Sequence, residues 1–114
     1  MNFFDFGLGL VAAHKHTNGG GWIADTAFVD KDVFIGIDVQ VFDYAQILVN
    51  ARLYDEARVY GMARVYGNAQ IYGKAQVYDH AKISGKAQVY GNARVSENVW
   101  VSGDSQIYES GWIF

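Results

Sequence analysis

The sequence predicts an all-β protein, a triangular prism of about five stacked coils behind a short N-terminal segment. Three observations carry this. From Gly21 to Phe114 the chain repeats with a period of six, without insertion or deletion. The third position of every unit is a branched aliphatic, and the first is small at most sites. Gly or Asp fills the fifth position in ten of fifteen units, which supplies a turn every six residues.

Residues 1–20 stand outside the repeat and read as a cap or connector. The stretch from Met1 to Ala13 is apolar, but it lacks a basic start and carries Asp5. It therefore fits a secretory signal poorly, and no apolar run is long enough to span a membrane. The expectation is a cytoplasmic protein without membrane attachment. Phe3, Phe4 and Phe6 are expected to cover aromatic side chains at the near end of the prism.

The repeat occupies residues 21–114. Its third positions run Ile23, Val29, Ile35, Val41, Ile47, Leu53 and onward to Ile113, and fifteen of the sixteen are β-branched. Such residues favour a pleated strand over a helix. The first position is Ala at ten of sixteen sites. Two positions apart on a strand, the small and the branched residue share one face, and the second position points the other way. That outward residue is mostly Gln, Arg or Lys. Three hexapeptides close one coil of eighteen residues. Coils stacked at strand spacing make a rod on the order of 25 Å tall.

Residues eighteen apart then lie above one another. One corner column reads Gly36, Tyr54, Tyr72, Tyr90, Tyr108, and a second includes Phe42, Tyr60 and Tyr78. Stacked rings support each other's burial, and they also offer an aromatic wall to a flat ligand or a partner. The outward columns read Trp22, Gln40, Arg58, Gln76, Arg94, Trp112; then Phe28, Gln46, Arg64, Lys82, Trp100; then Phe34, Arg52, Gln70, Gln88, Gln106. They are aromatic near the ends and polar in the middle. Exposed aromatic patches of that kind mark interfaces.

The units ARVYGN, AQIYGK and AQVYDH, and the pairs Val59 to Ala63, Val65 to Ala69 and Ile71 to Ala75, resemble the bacterial hexapeptide-repeat family. The A-x-V-Y-G-N flavour is similar to members found in phage and prophage genomes. The resemblance covers some four-fifths of the chain. It implies a left-handed parallel β-helix and a homotrimer with clefts between subunits. Arg52, Arg58, Arg64 and Arg94 would line such clefts as anion clamps. Tyr54, Tyr60, Tyr72, Tyr78 and Tyr90 would be the ring partners of a ligand. Each Arg also has a plainer reading, a stem lying over apolar surface on a solvated face.

Composition narrows the chemistry. The chain has 114 residues, no Cys, 12 acidic and 9 basic residues, and a formal net charge of −3. Disulfides and thiolate chemistry are excluded, and 18% charged with 51% apolar residues argues against disorder. The mild acidity argues against a duplex nucleic-acid binder. Residues 51–114 nevertheless hold seven basic and six acidic residues, so that half can present a local cationic stripe. His80, at a corner beside Asp79, is the candidate general base, against a plain reading as an exposed turn residue. His14 and His16 share a face on an extended segment and are candidate metal ligands, against a plain reading as a polar connector. No cofactor is expected, since phosphate-loop and dinucleotide fingerprints are missing.

Three functions compete. The first is a non-catalytic trimer holding a small anionic or nucleotide-like ligand in its clefts, sequestering a host signalling nucleotide. The second is a trimerisation or fibre module. The third is a hexapeptide-type acyltransferase, which the family's fold and His80 alone would support.

Overall fold

The computed structural model describes residues 2–109 together with the backbone of residues 112 and 113. Every regular element is a strand, and the repeat forms a parallel β-solenoid of about five turns. Strand pairs step by eighteen residues throughout, as in Arg64 with Lys82 and Gln70 with Gln88.

Three parallel sheets make the walls of the prism. The first wall carries Trp22–Ala24, Gln40–Val41, Arg58–Val59, Gln76–Val77, Arg94–Val95 and Trp112–Ile113. The second carries Phe28–Val29, Gln46–Ile47, Arg64–Val65, Lys82–Ile83 and Trp100–Val101. The third carries Phe34–Ile35, Arg52–Leu53, Gln70–Ile71, Gln88–Val89 and Gln106–Ile107.

The core follows from the six-residue period. Third-position side chains from Ile35 to Val95 are fully buried, and so are the first-position residues from Val33 to Ala93. Together they form one continuous apolar column. The side chains of Trp112 and Ile113, and the corner residue Phe114, lie outside the described residues.

Each corner is closed by a tight turn in which a first-position N–H donates to the fourth-position carbonyl before it, as in Ala57 to Tyr54. The fifth residue adopts a left-handed conformation at twelve successive corners, from Asp43 to Glu109. Where that residue is Asp, its carboxylate accepts the N–H of the fifth residue one coil later: Asp43 from Gly61, Asp55 from Gly73 and Asp79 from Glu97, at 3.0–3.1 Å. At Gly61, Gly67, Gly73, Gly85 and Gly91 a side chain would crowd the backbone of the next coil, whereas Gly103 has open space around it. A Cβ on Gly61 would sit 2.8 Å from the Asp79 nitrogen.

Residues 1–20 contain an element that the repeat does not announce. β1 (Phe3–Asp5) and β2 (Leu10–Lys15) form an antiparallel hairpin, and β2 pairs antiparallel with β3 (Trp22–Ala24). Phe4 stacks on Trp22 at 4.8 Å, and Phe6 stacks on Phe42 at 4.8 Å. The following loop crosses the third wall, where Ile35 donates to the Asn18 carbonyl and accepts from the Gly21 N–H, both at 3.0 Å. His16 is buried beside this loop, its Nε2 2.8 Å from the Val33 carbonyl oxygen. The N-terminal edges of two walls are thus covered by the chain itself, which a solenoid needs because open strand edges invite pairing.

Candidate functional site

The four arginines singled out from the sequence do not share one site. Arg58 and Arg94 lie on the first wall, Arg64 on the second and Arg52 on the third. The tyrosines divide between two corners. Tyr54, Tyr72, Tyr90 and Tyr108 follow one another along the corner between the third and first walls, with Phe34 beside Tyr54; Phe34–Tyr54 is tilted, Tyr54–Tyr72 is edge-on, and Tyr72, Tyr90 and Tyr108 stack, with centroids 4.8–6.3 Å apart. Phe6, Phe42, Tyr60 and Tyr78 stack along the corner between the first and second walls, at 4.7–5.0 Å.

These ladders are built into the frame. The Tyr60 hydroxyl donates to Gln76 Oε1 and the Tyr72 hydroxyl to Gln88 Oε1, both at 3.0 Å. Each bond crosses to the outward residue of the next coil. Burial pushes the Tyr60 phenol above its ordinary value, and neighbouring Tyr78 adds to the shift. Burial also raises Tyr72, with Tyr90 acting in the same direction.

Arg58 is committed to the hairpin. One guanidinium nitrogen donates to the Phe6 carbonyl at 2.6 Å, and the group lies over the Phe42 ring, 5.4 Å from its centroid. Asp5, Asp38 and Glu56 line the groove around it, which makes that surface unfavourable to an anion. Arg52 lines two adjoining grooves, in which Asp32, Asn50, Asn68, Phe34 and Tyr54 are neighbours.

The second wall is different. Arg64 and Lys82 stand in register on adjacent strands, and Lys82 pairs with Trp100 on the next. With Met62, His80 and Asn98 from the adjacent corner they line a groove of about 350 Å³. Two cationic side chains and the His80 imidazole line it, and no carboxylate is among the lining residues. Trp100 is 62% exposed, and its indole N–H donates to Ser84 Oγ at 2.8 Å, which fixes the ring. The Lys82 ammonium lies 5.8 Å from the centroid of that ring. Chemically this is a cationic strip beside a held aromatic plane, suited to an anion that carries a flat group.

His80 thus belongs to the groove with Arg64, a neighbourhood that its isolated position in the sequence did not reveal. Its ring is exposed and has no hydrogen-bond partner among the described residues, so nothing there fixes a tautomer for base catalysis.

His14 and His16 part company. His14 Nδ1 lies 2.7 Å from Asp25 Oδ1 on the surface, whereas His16 is fastened to the Val33 carbonyl. No group of three His, Cys, Asp or Glu able to hold a metal occurs among the described residues. Asp25, eleven residues from His14, was invisible as its partner because the antiparallel pairing of β2 with β3 creates the contact.

The geometry defines a β-solenoid repeat protein with aromatic corners and a cation-lined groove on its second wall. Residues 87–103, about one coil, match the YdcK Beta solenoid repeat family. No curated protein and no solved structure matches the chain.

Proposed function

We propose that this chain is a non-catalytic binding protein of the phage- and prophage-type hexapeptide-repeat kind, which assembles as a homotrimer and holds a small anionic or nucleotide-like ligand in the cytoplasm. The observation that carries the reading is the second-wall groove, with Arg64, His80 and Lys82 beside the held indole of Trp100 and no lining carboxylate. Arg64 offers a bidentate fork to phosphate, Lys82 a point charge, and Trp100 a stacking surface for a base. An open groove of this kind gains affinity when a neighbour shields it from water. Exposed Met62 and Trp100 line it, exposed Phe28 lies further along the same wall, and these supply apolar area for a second subunit. Tight holding without turnover would sequester a signalling nucleotide.

Isothermal titration with a panel of cyclic and linear nucleotides tests this, run beside sedimentation of the protein. The expected result is binding of at least one phosphate-bearing ligand to a trimer. Arg64→Ala should weaken it at least tenfold, consistent with loss of a charge-assisted contact. Rising salt should weaken it further. Failure of every nucleotide to bind, or equal binding by Arg64→Ala, would overturn the reading.

A further inference from the structure

The hairpin builds a second concavity that the repeat alone would not make. Where the tip of the β1–β2 hairpin overhangs the corner between the first and second walls, a pocket of about 270 Å³ opens. Its wall is apolar and aromatic, formed by Phe6, Leu8, Val11, Phe42 and Tyr44. Leu8 is 96% exposed, and Val11 and Tyr44 are also exposed, so the rim is apolar surface left in water. Phe6 and Phe42 are themselves buried and stacked, which fixes the floor.

The charged groups lining this pocket are of one sign. Asp25 and Asp43 line it, and no Lys, Arg or His is among the lining residues. Each of the other four grooves described contains an Arg or a Lys. Asp25 is engaged by His14 at 2.7 Å. Asp43 gives one carboxylate oxygen, Oδ2, to the Gly61 N–H at 3.1 Å, which leaves Oδ1 for a ligand. Its backbone carbonyl accepts the Thr26 hydroxyl, which ties the neighbouring corner to it. A rigid aromatic floor, an apolar rim and a carboxylate in the lining are the elements of a small-molecule site. The exposed Tyr44 ring would favour a cation as well, since its quadrupole attracts positive charge.

We infer that this corner pocket binds a small amphiphilic cation, an aromatic or compact aliphatic group bearing a protonated amine. The apolar part lies against Phe6, Phe42 and Leu8, and the ammonium donates to Asp43. The site is separate from the anion groove on the second wall and does not depend on it.

The test uses phenethylamine as the probe, with phenylacetate as the isosteric anion, followed by NMR titration of the intact protein. The expected result is saturable binding of the amine, with shifts confined to the hairpin and the Asp43 corner, and no binding of phenylacetate. Asp43→Asn keeps the acceptor for Gly61 and tolerates the left-handed backbone, so the fold is retained while the charge is lost. It should weaken the amine about tenfold, the scale of one hydrogen bond to a charged group. Arg64→Ala should leave amine binding unchanged. Absence of amine binding, or equal binding of phenylacetate, would overturn the proposal. So would a change of oligomeric state in Leu8→Ser/Val11→Ser, because the rim would then be a contact between copies.

Discussion

Replacing Gly67 by Ala and by Asp in parallel tests the physical account of the corners. Gly67 sits at φ +68°, and a Cβ built there lies 3.0 Å from the Gly85 nitrogen and 3.1 Å from its carbonyl oxygen. Alanine must adopt the left-handed conformation at a cost of about 1–2 kcal/mol, and it crowds the next coil's backbone. A lower unfolded-state entropy returns only about 0.4–1 kcal/mol. The net expectation is a loss of about 1 kcal/mol or somewhat more. Aspartate brings the same Cβ but adds an acceptor aimed at the Gly85 N–H. The chain already uses this arrangement at Asp43, Asp55 and Asp79, all at φ 57–58°. One hydrogen bond to a charged group is worth about 1.5 kcal/mol, so Gly67→Asp should be close to neutral. The two variants should differ by about 1.5 kcal/mol, the worth of that hydrogen bond, or on the order of 6 °C in Tm for a chain of this size. Scanning calorimetry near neutral pH reads the difference directly. Near pH 2, where an ordinary carboxyl is protonated, the gap should narrow. An alanine variant as stable as the aspartate variant would refute the reasoning.

Further outcomes follow from single features. Val49 is a β-branched residue at φ +66°, so Val49→Gly should raise stability by about 1 kcal/mol in a urea melt, the usual scale for a strained left-handed residue offset by glycine's entropy. Phe6→Ala should loosen the hairpin, speeding amide exchange across Leu10–Lys15 while the middle coils keep their protection. Tyr60 and Tyr72 have phenols raised by burial, so the stability they confer is complete below the unfolded phenol value near 10 and is lost as pH rises from there through the raised value of the folded state. Tyr60→Phe should therefore flatten the alkaline decline in Tm.

The prism was legible because one rule repeats without interruption. Ile35, Leu53 and Ile71 stand one coil apart and are all fully buried, and arithmetic on the sequence places them so. The same arithmetic aligned Arg64, Lys82 and Trp100. It did not join His80 to them, because His80 sits on the corner beside that wall, outside the outward column. Arg58 looked equivalent to Arg64 by position, yet it is bound to the Phe6 carbonyl fifty-two residues away. That contact depends on a hairpin which follows no period of six. A signal for the hairpin was present: two short apolar runs, FFDF and LVAA, flank Gly7–Leu8–Gly9, and both glycines adopt positive φ. Asp5 accepts from the N–H groups of Gly7 and Gly9, closing that turn.

The eighteen-residue step also makes the coil a unit of length for mutation. Inserting or deleting a whole coil's worth of residues in the uniform middle would change the height of the rod and keep every side chain on its own wall. A six-residue change would rotate all later units by one wall. Arg64 and Lys82, in register across one step, would then face different directions, although each hexapeptide stayed intact. Insertions that the core would accept equally are thus sorted by the surface, and the groove is more sensitive to the reading of length than the fold that carries it.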